Sequence, residues 1–300
     1  MSAIKVLVKR NIKLFFKDKG LFLVSLITPM ILLVLYITFL GNVYRDSFLM
    51  MVPQGFSLDD RVIDGFIASQ LVSSMLAVSC ITVGFCSNML MVQDKATGTI
   101  KDLSISPVRP YSLAVSYFVA NLFSTLIICY SALAIGLAYI AIVGWYMTAL
   151  DVLMLMLDVL LLVLFGGALS SVINFFLSSQ GQMSAVGTMV SSCYGFMSGA
   201  YMPISQFPEG LQKVIMFLPG TYGTVLLRNH AMRGAFAQMA ADGLSSEVIE
   251  LAKNSMDINV YFFENKVEIW NMYLVLGGAV VVLLGAYVLL NIFKSKKVKV

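Results

Sequence analysis

Few residues of this chain carry side chains suited to chemistry, and they do not converge in sequence. There is one histidine, His230, and there are four cysteines, Cys80, Cys86, Cys129 and Cys193, none at a metal-ligand spacing. All four cysteines fall inside long apolar runs and read as small buried residues. An intramembrane serine protease needs a Gly-x-Ser-Gly nucleophile with an activating histidine, and a zinc protease needs His-Glu-x-x-His; the sequence has neither string. It also lacks a phosphate loop of the form Gly-x-x-x-x-Gly-Lys-Ser/Thr. Asp158 is the one acid placed inside an apolar run, with Asn174 further along the same run. A charge at that depth costs about 2.5–3.5 kcal/mol on insertion scales, so structural pairing is expected ahead of proton or substrate contact.

The elements that must hold these residues are membrane helices. Of 300 residues, 59% are hydrophobic and 12% charged, against about 25% charged in a soluble domain. A span needs roughly 20 mainly apolar residues. Six stretches qualify, near 21–41, 66–92, 111–143, 150–177, 182–201 and 270–293. No barrel-like alternation is present, so the expectation is an all-α integral membrane protein, one transmembrane domain over 1–300.

Orientation follows the lysines and arginines of short loops. Lys5, Lys9, Arg10, Lys13, Lys17 and Lys19 precede the first stretch. Lys95, Lys101 and Arg109 lie between the second and third, and Lys294, Lys296, Lys297 and Lys299 close the chain. With six spans these segments share one side, read as cytoplasmic with both termini. The opposite loops hold Asp46, Asp59, Asp60 and Asp64, then Glu247, Glu250, Asp257, Glu264 and Glu268. The net charge of +4 therefore suits anionic lipid headgroups and does not point to nucleic acid.

Two segments stand out on the basic side. Residues 1–20 predict an amphipathic interfacial helix, with Lys5, Lys9, Lys13 and Lys17 on one face and Ile4, Leu7, Val8, Ile12, Leu14 and Phe15 gathered on the other. The insert 93–110 predicts a short helix capped by Asp94, with an apolar edge of Ile100, Leu103 and Ile105, stopped by Pro107 and Pro110. Physics alone leaves this insert as either a solvated hairpin or a docking helix.

The string Thr97-Gly98-Thr99-x-x-x-Leu103-x-x-Ser106-Pro107, placed after the second stretch, resembles the coupling segment of ABC-2 type transporter permeases. Ser198-Gly199-Ala200-Tyr201-Met202-Pro203-Ile204, Phe207-Pro208-x-x-Leu211-Gln212, Leu218-Pro219 and Leu226-Leu227-Arg228 are similar to that family's segment after the fifth span, and the basic N-terminal helix is a third likeness. The sequence departs in the sparse Asp94-Lys95 cluster and in Leu218 where the family often has Asn. The resemblance implies a membrane subunit of an exporter in a bacterial plasma membrane, of the drug-export branch. It binds no cofactor itself, and ATP and Mg belong to two copies of a partner ATPase. It also implies a second permease chain, as homodimer or heterodimer. Implied ATPase-coupling residues are Asp94, Thr97, Gly98, Thr99, Ile100, Leu103, Ser106 and Pro107, with Lys9 and Lys13 of the N-terminal helix.

The outer loop 203–268 carries apolar pieces at 214–218 and 224–227, each too short to span, punctuated by Pro203, Pro208, Pro219 and Gly220. They predict two short helices, re-entrant by the resemblance, with Arg228 following them and His230 in the loop beyond. A polar helix is expected over 238–256. Small or polar residues recur at helical spacing in two stretches: Gln70, Ser73, Ala77, Cys80, Gly84 and Ser87, with Asn88 beside them, and Gly187, Ser191, Gly195 and Gly199. Such stripes pack helices closely; the resemblance adds lining of a pathway at the dimer axis. An amphipathic drug, antibiotic, peptide or lipid is the substrate expected, with polysaccharide export as the alternative. A secondary transporter or channel is the rival from another class, but it predicts inverted repeats that the sequence does not display.

Overall fold

A computed structural model describes the chain except residues 1, 2, 54, 55, 57, 106, 107, 109 and 298–300. Among the described residues, five helices are long and apolar enough to cross a bilayer: Lys19–Leu49, Asp60–Ala96, Tyr111–Val143, Ala149–Phe176 and Ile269–Phe293.

α1 (Ala3–Lys17) stops at Asp18, whose carboxylate accepts from the amides of Gly20 and Leu21 and so starts α2 (Lys19–Leu35). The first membrane helix does not end near residue 41. A π-helical turn at Tyr36–Leu40 carries it into α3 (Gly41–Leu49). There Arg45 pairs with Asp60 and Asp64 at the start of α4 (Asp60–Ala96), which Asp59 caps. α4 is 37 residues long, well beyond the expected 66–92, because its ends are held by these polar contacts. Thr97 and Gly98 break it, and α5 (Thr99–Ile105) follows. Gly98 has φ +83°, a left-handed turn that glycine adopts without steric cost.

α6 (Pro110–Val143) and α7 (Ala149–Phe176) form the next two spans. Thr148 and Asp151 close a capping box at the head of α7. α8 (Gln180–Met197) occupies the fifth stretch, but its 18 residues include Gln180, Gln182, Ser184, Thr188, Ser191 and Ser192, too polar for it to count among the five.

The segment 203–268 departs most from expectation. α9 (Glu209–Ile215) is short as predicted, but 224–227 belong to α10 (Pro219–Ala241), one helix of 23 residues. The polar stretch 238–256 is not one helix: it breaks after Ala241 at Gly243, φ +95°, and resumes as α11 (Ser246–Ser255). A hairpin of β1 (Tyr261–Phe262) and β2 (Asn265–Lys266) then precedes α12 (Ile269–Lys297). Its register pairs Tyr261 with Lys266 and Phe262 with Asn265.

α4 is the hub, contacting α2, α6, α7, α8 and α10, and its most apolar window is wholly buried. Close approach depends on glycines. A Cβ at Gly84 would touch the backbone of Gly166 and Gly167 on α7, and one at Gly65 would lie 2.4 Å from the Gly144 carbonyl oxygen. The outward faces of α2, α6 and α12 are apolar and exposed, including Ile31, Val34, Phe123, Ile127, Val281 and Val282, as lipid contact requires.

Candidate functional site

The insert is anchored from within the chain. Asp94 does not cap the short helix. It lies in the last turns of α4, buried, where its carboxylate accepts from Arg10 Nη1 of α1 at 2.8 Å and from the Tyr117 hydroxyl of α6. One carboxylate thus fastens three helices at the end of the molecule that carries α5. Around it Leu90, Met91 and Tyr117 form a small apolar cluster on which Leu14, Ile100 and Leu113 pack. Ile100 therefore points inward, against α1, α4 and α6.

Lys95 turns the other way. Its ammonium donates to the carbonyls of Asn174, Phe175 and Leu177 at 2.7, 2.8 and 3.0 Å and lies over the Phe175 ring. These oxygens end α7, where the Asn174 carbonyl also accepts from the Leu177 amide at 3.3 Å and the helix dipole attracts a cation. The adjacent pair Asp94-Lys95 therefore joins the insert to α1 and α6 on one side and to the α7–α8 junction on the other. Spacing alone does not reveal this, because neither partner is near in sequence.

Other insert residues face out or sit at the edge. Thr97 Oγ1 donates to the Gln93 carbonyl at 3.0 Å and lies 2.9 Å from Thr99 Oγ1. Leu103 is half-buried and Asp102 exposed, while Lys9 and Lys13 are exposed on α1. Ser106 and Pro107 lie outside the described residues. Asn11 and Phe15, rather than Ile4 and Val8, join Leu7 as the buried face of α1.

The stripe on α4 is buried within the chain. Gln70, Ser73, Ala77, Gly84 and Ser87 all turn toward neighbouring helices. Ser87 bonds Asn121, and Asn88 Nδ2 donates to Ser170 and Ser171 Oγ, each at 3.0 Å, tying α4 to α6 and α7. Gln70 is fully buried. On α8, Gly187 is packed under Met89 and Gly195 under the Tyr201 ring, and Ser191 is half-buried. Gly199 lies past the end of α8 with φ +73°. Cys193 is exposed, unlike the other three cysteines; it lies on the open face of α8.

Two polar networks deeper in the fold were not legible as pairs. His230 is not in a loop but on α10, buried, with Nδ1 2.6 Å from Asp158 Oδ2, and the Tyr273 hydroxyl of α12 donates to Asp158 Oδ1 at 2.6 Å. Asp158 is thus paired, as expected, by groups from two other helices. Arg228, fully buried, donates to Asp257 Oδ2 at 3.0 Å, to Ser74 Oγ of α4 at 3.2 Å and to the Gly199 carbonyl. Asp257 also accepts from the Ile204 amide at 2.7 Å. Arg228 therefore fixes the turn between α8 and α9 and the end of α11 onto the spanning core. Of the expected outer prolines, Pro203 is buried in that turn, Pro208 is exposed before α9, and Pro219 opens α10.

The comparisons with known proteins bear on this arrangement. A search among curated proteins returned no match. The profile of the ABC-2 type transporter family matches residues 2–231. That stretch runs from α1 through the insert to the Arg228 and His230 networks and covers well over half of the chain. Such a membrane domain is a transmembrane permease domain without an ATP site, and the family in general works with an ABC ATPase. The chain belongs to the ABC-2 type transporter family, as a permease subunit of an ABC transporter.

Proposed function

We propose that the chain is the membrane subunit of an exporter that moves an amphipathic drug, antibiotic, peptide or lipid-like molecule out of a bacterial cell. A separate ATPase, in two copies, drives it from the side bearing α1 and α5. In this reading α8 is the fifth of six spans, its polar residues shielded by a second permease chain, and both termini are cytoplasmic. α9 and the head of α10 enter the outer leaflet from the opposite side. The observation that carries the proposal is the double anchoring of the insert through Asp94 and Lys95. A push on α5 is thereby delivered at once to α1, α4, α6 and the α7–α8 junction, as rigid-body switching requires.

Gly98→Pro and Leu103→Asp test it. Proline fixes φ near −65°, incompatible with +83° at this position, and aspartate places a charge on the half-buried edge of α5. Both variants are expected to insert normally yet lose stimulation of the partner ATPase and substrate export. Full export by both would defeat the coupling assignment.

A further inference from the structure

On the side away from α5, a cavity of about 440 Å³ opens between α9 and the β1–β2 hairpin, within the size range of small-molecule sites. Its charged lining is one cation, Lys213, and three carboxylates, Glu209, Asp257 and Glu264, of which Asp257 is already held by Arg228. Lys213 Nζ lies 2.6 Å from Glu209 Oε1, and Glu264 from the hairpin turn adds its field to the same ammonium. The polar walls behind them are already satisfied: Asn259 donates to Glu250 and Asn254, and Gln212 donates to the Phe207 carbonyl.

Apolar side chains stand exposed beside it along the chain: Phe263 of the lining is 55% exposed, and outside the lining Phe217 is 62%, Val214 57% and Trp270 71% exposed. Phe217 packs edge-on against Phe262 and Phe263. The hairpin turn uses left-handed backbone at both Phe263 (φ 45°) and Glu264 (φ 71°), a conformation rare for an aromatic residue. It leaves Phe263 on the outer rim with Glu264 in the cavity wall. Only two residues separate the end of β2 from the spanning helix α12, whose first turn contains Trp270. The hairpin that walls the cavity is therefore joined directly to the mouth of a span, where aromatic side chains meet lipid headgroups.

We propose that this cavity is a lipid site. It takes the zwitterionic headgroup of an aminophospholipid from the adjoining leaflet, phosphate toward Lys213 and ammonium toward Glu209 and Glu264. The acyl chains pass Phe217, Phe263 and Trp270. A primary ammonium donates hydrogen bonds to these carboxylates and a quaternary one does not, so ethanolamine headgroups are selected over choline. An anionic lipid without an amine meets two carboxylates and is disfavoured. The inference needs only that α12 spans the bilayer and is independent of the coupling assignment.

The sequence supplies the probe, having two tryptophans, Trp145 and Trp270. The full-length Trp145→Phe chain is placed in phosphatidylcholine vesicles doped with a small fraction of brominated phosphatidylethanolamine, phosphatidylcholine or phosphatidylglycerol, and quenching of Trp270 is compared. The ethanolamine lipid is expected to be favoured about tenfold, the factor that one charge-assisted hydrogen bond supplies. The preference is expected to vanish in Lys213→Met/Glu264→Gln with the melting temperature unchanged. Should that double variant melt early, Glu264→Gln alone, at an exposed position, is expected to reduce the preference in the same direction. Equal quenching by all three lipids, a preference for phosphatidylglycerol, or a preference that survives both variants would overturn the proposal.

Discussion

Replacing Lys95 by methionine removes the one ammonium shared by the carbonyls of Asn174, Phe175 and Leu177. The side chain keeps its length and most of its apolar contact, so the change isolates the charge and its donors. Hydrogen bonds to a charged group contribute about 1.5–3 kcal/mol net, and a cation at a helix C-terminus adds about 0.3–1 kcal/mol. Lys95 is partly buried and its three acceptors share one donor group, so the lower end applies, about 2 kcal/mol for the whole clamp. If that energy holds the insert against the end of α7, its loss raises the detached population about 30-fold. The assay places spin labels at Asp102 of α5 and Gln180 at the head of α8, both exposed, with the exposed Cys193 changed to serine. The wild-type distance distribution is expected to be narrow and unaltered by an ATP-loaded partner, because the two sites move as one body. Lys95→Met is expected to broaden it, and Lys95→Arg to restore most of the narrowing. A Lys95→Met distribution as narrow as wild type would refute the clamp as a mechanical link.

Arg228→Met leaves Asp257 buried without its cation and is expected to cost about 3–5 kcal/mol; melting in detergent measures it, and adding Asp257→Asn should recover part of the loss. His230→Phe strips one of two partners from the buried Asp158 and is expected to destabilise by about 1–3 kcal/mol, with Tyr273→Phe acting less than additively because both serve one carboxylate. Gly98→Ala forces a Cβ into left-handed backbone for about 1–2 kcal/mol; none of the described residues lies within 4 Å of that Cβ, so the effect is conformational and should appear as faster amide exchange across 97–105. Asp94→Asn weakens the hold on Arg10 and is expected to raise amide exchange throughout α1 while leaving the spans protected.

How far the sequence could be read depended on whether a signal was local. Apolar runs of span length are local, and so is the lysine face of α1: five of the six expected runs appear as span-length helices among the described residues, and the stretch 182–201 does not. The ends of helices were less legible. α4 outruns its apolar stretch because Asp59 caps it, and Asp60 and Asp64 at one end and Asp94-Lys95 at the other find partners on other segments. The outer region was misread for the opposite reason. Pro219 looked like a break between two short helices, but proline is favoured in the first turn of a helix, and here it opens α10, whose polar Thr221, Thr224 and Arg228 are buried against other elements. Arg228 was noticed only as part of a family-like string. Its partner lies 29 residues away at Asp257, which was read only as one of the acids of the loop before the last span.

These contacts share one property that bears on how motion crosses the molecule. α4 has 37 residues, about 55 Å at 1.5 Å per residue, and its polar contacts are spread along that length. Near one end stand Asp94 and Lys95, then Asn88 and Ser87 against α6 and α7, and further along Ser74 against Arg228. Between them α4 is buried on every side, with glycine-to-glycine contact at Gly84. A close-packed helix of this kind has no free volume in which to slide alone. Displacement imposed at the insert must therefore carry α6 and α7 with it, or break the Asn88–Ser170–Ser171 bonds. In-membrane hydrogen bonds of this type average about 0.6 kcal/mol each, less than the Lys95 clamp. A push too large for rigid motion is thus expected to yield first at the Asn88 cluster, which makes that cluster the place to seek a hinge. Asn88→Ala, which removes both bonds without overfilling the site, should shift the α4–α7 distance distribution near Ser170 when an ATP-loaded partner binds and leave it unchanged without one. A shift already present in the isolated chain would instead mark the cluster as a static brace.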